Sequence, residues 1–371
     1  MENNNLKLSQ ADFKFTQLNE DIKDQKFEGE AIGFFKDAMI RFKRNKASIT
    51  AAVLIVIIVV MAIFGPIMNK YSFREQFVEF AFLPPRIPGL EKIGICDGTK
   101  VIPVKKTSIE DKYKDSMVKI VKEYEVRGVQ MAEIKVDLYK QKGATDHYFW
   151  FGTDYLGRDQ WTRLWRGARV SLMIGILAAL VNIFIGVVYG AISGYYGGII
   201  DMLMQRFIEV LGGIPHTVIV ILCIMYMGAG MVPLVIALVL TGWIGMSRMI
   251  RAQFYKYKGQ EYVLASRTLG AKDRILIFRH ILPNALGPLI TMATLSIPGA
   301  IFTESFLAYL GLGIQAPEPS IGVLLSEGQK QLLNYPHLTI FPAIVISVLM
   351  ISFNLFGNGL RDAFDPTLRG Q

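Results

Sequence analysis

Six long apolar stretches constrain the fold of this chain more than any other feature of its sequence. Each is about 20 residues long, and together they occupy residues 47–68, 168–190, 207–227, 232–249, 286–308 and 338–356. A hydrocarbon core about 30 Å thick requires roughly 20 helical residues to cross it. Because no water reaches that core, a crossing segment must satisfy its own backbone hydrogen bonds, as a helix does. The sequence therefore predicts an all-α polytopic membrane protein with six transmembrane helices.

Charged residues are few, and most of them lie between the apolar stretches. They make up 19% of the chain, against 52% hydrophobic residues, and the net charge is +9. Membrane proteins collect Lys and Arg on their cytoplasmic loops, so this charge calls for no nucleic acid partner. The five basic residues between Lys36 and Lys46 predict a cytoplasmic N-terminus, and six crossings return the C-terminus to the same side. Arg163, Arg166 and Arg169 run against this orientation, because they lie at the predicted outer end of the second span.

The segments outside the spans predict the rest of the domain organisation. Residues 1–46 form a cytoplasmic region, in which Ile32, Phe35, Met39 and Phe42 recur at the spacing of an amphipathic elbow helix on the inner membrane face. A simple basic flank to the first span, residues 47–68, is the alternative. Residues 168–360 carry helices 2–6 of the transmembrane domain, and residues 361–371 form a cytoplasmic tail.

Residues 69–167 are too long and too mixed to be a plain loop, and they predict a small α+β extracellular lobe between helices 1 and 2. A short apolar run near Ile93 and another at residues 101–104 favour strand. Residues 105–142 are highly charged and are expected to be largely helical. The apolar content is small, so the lobe, centred on residues 91–146, is expected to lean on a neighbour for stability.

Small residues repeat four positions apart along the second span, in two runs separated by a one-position offset at Asn182. They are Ser171, Gly175, Ala179, Gly186, Gly190 and Gly194. Such a row lets two helices approach closely in lipid, as in a tight permease core, a subunit interface or ordinary bundle packing.

No catalytic constellation is present in the sequence. The chain has no phosphate-binding G-x-x-x-x-G-K-[ST] loop, the two cysteines form no disulfide framework, and the four histidines are scattered, so neither a metal site nor a bound cofactor is expected. Polar residues at membrane depth usually face the bundle interior or a water-filled path. We therefore take Glu304, Ser305, Asn182 and His216 as candidates for lining a pathway.

The basic segment 260–280, between the fourth and fifth spans, has the pattern of two short helices. Gly270 is suited to end the first helix in a left-handed conformation. Asp273 is expected to cap the second helix, and Pro283 to end it and start the next span. One face, comprising Tyr262, Ala265, Ser266 and Leu269, is small or moderately apolar within a basic surround. Such a face can enter a groove on a soluble partner, although an interfacial helix without a partner is the alternative.

This segment resembles the EAA loop of type I ABC importer permeases, whose pattern is Glu-Ala-Ala, three residues, Gly, nine residues, Ile, one residue, Leu-Pro. Gly270, Leu282 and Pro283 keep the spacing, Leu264-Ala265-Ser266 replaces the triplet, and His280 stands at the Ile position. Glu261 lies one turn earlier and offers a carboxylate. Further motifs are similar to the C-type permease subunit of the oligopeptide/dipeptide/nickel group. These motifs occupy residues 151–159, 167–172, 307–313 and 357–366.

The resemblance implies the type I ABC importer permease fold in a bacterial cell membrane. It implies a heterodimer with a second permease subunit, two cytoplasmic ATPases that hold ATP and Mg, an extracellular substrate-binding protein and surrounding lipid. This chain would be a non-catalytic subunit that carries oligopeptides or dipeptides. Its contacts with the ATPase would come from Glu261, Leu264, Ala265, Ser266, Arg267, Gly270, Asp273 and Pro283. Alternatives are a nickel or metal-chelate permease and, in a different class, a membrane-anchored structural or signalling protein.

Overall fold

The computed structural model describes residues 33–364, which fold into a helical bundle with a small β-sheet at one end. The larger helices are α1 (Phe34–Arg44), α2 (Lys46–Phe64), α5 (Gln160–Tyr196), α6 (Gly198–Gly212), α7 (His216–Met227), α8 (Met231–Lys258), α9 (Glu261–Thr268), α11 (Leu286–Tyr309), α12 (Ile321–Gln329) and α13 (His337–Phe364). The short helices are α3 (Thr107–Lys112), α4 (Leu138–Gln141) and α10 (Asp273–Ile275). The strands are β1 (Thr99–Lys105), β2 (Met117–Val126) and β3 (Val129–Asp137).

Within the described part of the chain, five helical stretches are long and apolar enough to cross a membrane. These stretches are Lys46–Ile67, Gln160–Tyr196, Met231–Lys258, Asp273–Tyr309 and His337–Phe364. A bent pair, α6 and α7, passes the same test when its two halves are taken together. The multi-pass helical prediction is therefore confirmed, with five spans or six according to how the bent pair is counted.

The third predicted span differs most from the expectation of a single helix over residues 207–227. The structure breaks it after Gly212, and α7 starts at His216 with its axis turned by 74°. Pro215 explains the break, because proline has no N–H to donate and disfavours helical geometry at the residue before it. The chain also begins α6 earlier than expected, at Gly198, directly after α5.

The small-residue row of α5 packs against helices of the same chain. A Cβ atom added at Gly186 would lie 2.6 Å from Cβ of Met246, and one added at Gly194 would lie 2.6 Å from Cβ of Phe254. Both partners belong to α8. Because these glycines have no Cβ atom, the α5 and α8 backbones can approach closely, which stabilises helix pairs in lipid.

Between α2 and α5 the chain forms a three-stranded antiparallel sheet in the order β1-β3-β2. Alternate residues of the central strand, Ala132, Ile134 and Val136, are fully buried. They pack in one cluster with Tyr139 and Phe149. The segment that leads to the sheet contacts the bundle through stacked rings, because the Phe82 and Tyr335 centroids are 4.4 Å apart.

The expectation that residues 105–142 are largely helical is wrong, because β2 and β3 occupy half of this segment. The hairpin turns at Arg127 and Gly128, whose φ angles of 54° and 78° match the two-residue turn that suits twisted strands. The expected strand near Ile93 is instead a 3-10 turn, Leu90–Ile93. Residues 101–104, also expected as strand, lie within β1.

The predicted elbow corresponds to α1, which packs against the last helix. The Phe42 and Phe356 ring centroids are 5.4 Å apart, and Arg41 pairs with Asp37 at 2.9 Å. Ile32 and the end of the predicted tail lie outside the described residues. The position of α1 on a membrane face stays a prediction.

Candidate functional site

The candidate site is α9 together with the turn that follows it, and this turn has the predicted left-handed stop. Gly270 has φ +85°. Its N–H donates to the Arg267 carbonyl at 3.0 Å, and the Ala271 N–H donates to the Ser266 carbonyl at 3.1 Å. This pair of bonds is the Schellman motif, which satisfies carbonyls at a helix end. Only a residue that tolerates positive φ without cost closes such a turn easily.

A buried valine anchors α9 to the bundle. Val263 is fully buried in a cluster with Ile250 and Phe254 of α8 and with Leu276 and Ile281 of the following helical segment. The sequence pattern did not single out Val263. Burial of Val263 could have been predicted, because Val263 is an aliphatic residue in a short helix whose other face was expected to be exposed. The anchor keeps α9 in a fixed orientation at the end of α8.

Two side-chain hydrogen bonds join α9 to the segment after the turn. The Ser266 Oγ and His280 Nε2 atoms are 3.2 Å apart. Asn284 Nδ2 donates to the Tyr262 hydroxyl at 3.2 Å. His280, which departs from the EAA pattern, therefore bonds α9 where an isoleucine would supply apolar contact.

Asp273 does not cap α10 as expected, because its side chain is bonded elsewhere. The residue before the helix is Lys272, and no side chain caps this helix start. The Tyr195 hydroxyl donates to Asp273 Oδ1 at 2.6 Å. Arg267 Nη2 donates to the same hydroxyl at 3.3 Å. One tyrosine at the end of α5 thus holds both sides of the Gly270 turn.

Pro283 does not end the helical segment as expected. The chain runs from α10 through a π-helix, Leu276–Ile281, and a 3-10 turn, Leu282–Ala285, into α11. Proline fits the first turn of a helix, where its missing N–H leaves no bond unmade. The hydrogen-bond register therefore changes at Pro283 while the helical path continues to the next span.

The surface of α9 that faces away from the bundle is partly apolar and partly charged. Leu269 is 89% exposed and Leu264 is 44% exposed. Glu261, Ala265 and Arg267 are also exposed, whereas Ser266 is half-buried beside His280. An exposed leucine at the tip of a rigid turn is suited to enter a groove on another protein.

The four pathway candidates fall into two places in the bundle. Glu304 is fully buried and accepts a hydrogen bond from Ser171 Oγ at 2.8 Å, with the Ser305 hydroxyl 3.4 Å away. Asn182 lies eleven residues after Ser171 on α5 and so about 16 Å further along that helix. Asn182 packs at Gly242 of α8.

His216 lies at the start of α7, with its Nδ1 3.2 Å from Thr241 Oγ1 of the same α8. Asn182 and His216 therefore approach neighbouring residues of α8, Gly242 and Thr241. No hydrogen bond joins the Glu304 carboxylate to the His216 imidazole, because the two side chains have different partners.

A buried charged cluster at the other end of α5 was not expected from sequence. Asp154 Oδ2 accepts from Arg158 Nε at 2.7 Å and also pairs with Arg163. Arg163 Nη1 donates to Glu327 Oε2 of α12 at 2.8 Å. Asp159 caps α5 by accepting from the Thr162 N–H at 2.8 Å, and burial raises the pKa of Asp159 to about 6. The cluster fastens the lobe to α5 and α12.

Among the described residues, no group of three or more His, Cys, Asp or Glu side chains is arranged to hold a metal ion.

A multi-pass helical protein that holds a rigid, exposed helix between two spans has the construction of a membrane transport permease. The family model for the inner membrane component of binding-protein-dependent transport systems matches residues 172–370, more than half of the chain. A model for the N-terminal transmembrane domain of oligopeptide transport permease C matches residues 33–85. The chain belongs to the family of binding-protein-dependent transport system inner membrane components, which confirms the resemblance seen in its motifs.

Individual relatives match over nearly their whole length. The oligopeptide transport system permease protein OppC of Bacillus subtilis (strain 168) is 38% identical over 345 residues, which cover 93% of each chain. The dipeptide transport system permease protein DppC of the same strain is 38% identical over 91% of this chain and 88% of its own. Among solved structures, an inward-facing MetNI methionine ABC transporter chain is 17% identical with a TM-score of 0.46, covering 55% of this chain and 96% of that chain.

Proposed function

We propose that this chain is the permease subunit of an ATP-driven importer of oligopeptides or dipeptides and forms half of the translocation pathway. The observation that carries the proposal is α9, an exposed helix fixed between two spans by Val263 and by the bonds to His280 and Tyr195. The relatives that span nearly the whole chain are named as peptide transport permeases, which supports the substrate class.

In this proposal α9 sits in a groove on one of two cytoplasmic ATPases, which bind ATP and Mg. The contact surface consists of Glu261, Leu264, Ala265, Arg267 and the Leu269 tip, while Ser266, Gly270, Asp273 and Pro283 hold its shape. A two-state transporter needs about 5.5 kcal/mol of differential interaction to reverse its populations from 1:99 to 99:1. A helix held at both ends can transmit such a bias, so this subunit supplies motion and no catalysis.

If α9 contacts the cytoplasmic ATPases, the sides of the membrane on which the other parts of the chain lie are also set. Both termini and α9 lie in the cytoplasm, and the sheet lies outside, where it contacts the external binding protein or the second permease subunit. Glu304, Ser305, Asn182 and His216 remain candidates for the pathway between the two permeases. The enclosed position of Glu304 favours a role in holding α5, α11 and α12 together.

The test compares two glycines that flank α9 in a reconstituted complex with its ATPases and binding protein. Gly270→Val should reach the membrane normally yet lower peptide uptake sharply, because a β-branched residue resists φ +85°. Gly259→Val is the matched control: Gly259 has φ −93° and open space around it, so uptake should persist.

A wild-type complex without peptide-stimulated ATP hydrolysis would overturn the proposed function. Normal uptake by the Gly270→Val complex would overturn only the role given to the turn.

A further inference from the structure

Asp201, in the first turn of α6, is 6% exposed and has four donors around its carboxylate. Arg251 approaches in the bidentate manner, with Nε 2.6 Å from Oδ1 and Nη2 2.5 Å from Oδ2. The Tyr255 hydroxyl donates to Oδ2 at 2.8 Å, and the Ser193 hydroxyl donates to Oδ1. A bidentate pair fixes the orientation as well as the distance of its two partners.

These donors come from two other helices, so Asp201 joins three elements at one point. Ser193 lies in the last turns of α5, and Arg251 and Tyr255 lie in the last turns of α8. Only Gly197 lies between α5 and α6, and both Gly197 and Gly198, the first residue of α6, have positive φ angles, of 67° and 54°. Such a turn permits α6 to swing unless side chains hold it.

The other attachments of α6 among the described residues are single contacts: Gln205 Nε2 donates to Ser193 Oγ at 3.1 Å, and Ile208 packs with Trp243 and Ile244 of α8. The buried residues of α6 are Asp201 and Ile208, and Tyr189 donates to the Met204 carbonyl at 2.7 Å. The pair Arg206 and Glu209 on the same helix is largely exposed. Asp201 is therefore the principal polar attachment of the half-span that leads to the 74° bend.

The same end of α5 is bonded to the α9 region. Lys258, the last residue of α8, donates to the Gly194 carbonyl at 2.8 Å. Tyr195, the next residue, binds Arg267 and Asp273 on the two sides of the Gly270 turn. Residues 193–195 therefore contact the Asp201 cluster and the α9 turn at consecutive positions.

We propose that Asp201 is a positioning residue that makes α6 follow the movement of α9, so that the bend before α7 shifts when an ATPase moves α9. The inference rests on the proposed function, because it assumes that an ATPase displaces α9. It adds a specific link between that displacement and the broken third span. Removing the carboxylate would leave Arg251 partly buried without its partner and would free α6 to lag behind.

The experiment measures peptide taken up per ATP hydrolysed in the reconstituted complex. For Asp201→Asn we expect this ratio to fall about tenfold, within the usual range of coupling between sites, while ATP hydrolysis is largely kept. Asp201→Glu retains a carboxylate and should restore part of the ratio. Glu209→Gln, which removes an exposed carboxylate from the same helix, is the control and should match the wild type.

A merely structural role would lower the amount of assembled complex and leave the ratio unchanged. If Asp201→Asn fails to assemble, Tyr255→Phe removes one bond of the cluster and should still lower the ratio, by a smaller factor. An unchanged ratio in whichever of these variants assembles overturns the inference. A wild-type complex that imports no peptide overturns the proposed function instead.

Discussion

Arg163, Arg166 and Arg169 lie where loop charge alone would not place them, and each has a specific partner. Arg163 bonds Asp154 and Glu327, and Arg166 Nε lies 3.2 Å from Glu318. Arg169 donates to the carbonyls of Ala62 and Ile63 at the end of α2, at 2.8 and 2.7 Å. Hydrogen bonds and ion pairs within the fold thus explain the positions of these three arginines, without the preference of Lys and Arg for cytoplasmic loops.

Arg163→Ala should destabilise the subunit by about 3 kcal/mol, because it leaves the carboxylates of Asp154 and Glu327 with one arginine fewer in a buried cluster. Arg74→Ala is the control, since Arg74 is 63% exposed in its pair with Glu318 and such pairs contribute about 0–1 kcal/mol. Thermal denaturation of the purified complex measures both variants. Equal losses would contradict the assignment of a structural role to the buried cluster.

At the scale of elements, α9 shows what local pattern can and cannot predict. The helix and its glycine stop follow from spacing and from the conformational freedom of Gly270. The bonding of Asp273 could not be inferred, because its partner Tyr195 is 78 residues distant in sequence. Local sequence therefore predicts a helix cap at Asp273, whereas its carboxylate oxygen accepts the hydrogen bond of the distant Tyr195 hydroxyl.

Tyr195→Phe should uncouple α9 from α5, because it removes the hydroxyl that bonds both Asp273 and Arg267. We expect peptide uptake per ATP to fall several-fold, with a smaller effect on ATP hydrolysis. Tyr196→Phe is the matched control, since Tyr196 is 51% exposed and touches Tyr195 only through its ring. Indistinguishable ratios in the two variants would remove Tyr195 from this role.

For the whole molecule, the membrane bundle was predictable and the lobe was predictable only in part. Apolar length sets the spans, because lipid excludes other solutions for the backbone. In the lobe, β2 is an edge strand with mostly exposed residues, so its charge pattern resembled a solvated helix. The period-two burial of β3, at Ala132, Ile134 and Val136, was the available signal. Pro215 was likewise a signal for a helix break, but the length of the apolar run around it favoured a single unbroken helix.

Removal of the sheet tests the proposed role of the lobe. Gly98 and Leu138 are joined by a backbone hydrogen bond of 3.2 Å, so a short Gly-Ser linker can replace residues 99–137. We expect the shortened subunit to assemble with its ATPases but to lose stimulation of ATP hydrolysis by the binding protein. Full stimulation, together with normal pairing of the two permease subunits, would show that the sheet contacts neither partner.

The whole excursion between α2 and α5 also leaves and re-enters the bundle at one place. Trp161 Nε1 donates to the Gly65 carbonyl at 2.8 Å, and the Thr162 hydroxyl donates to the Tyr71 carbonyl at 3.2 Å. A surface insertion whose ends are already side by side adds little closure entropy when its length changes. The length of this insertion can therefore change at small entropic cost while the helices of the bundle keep their arrangement.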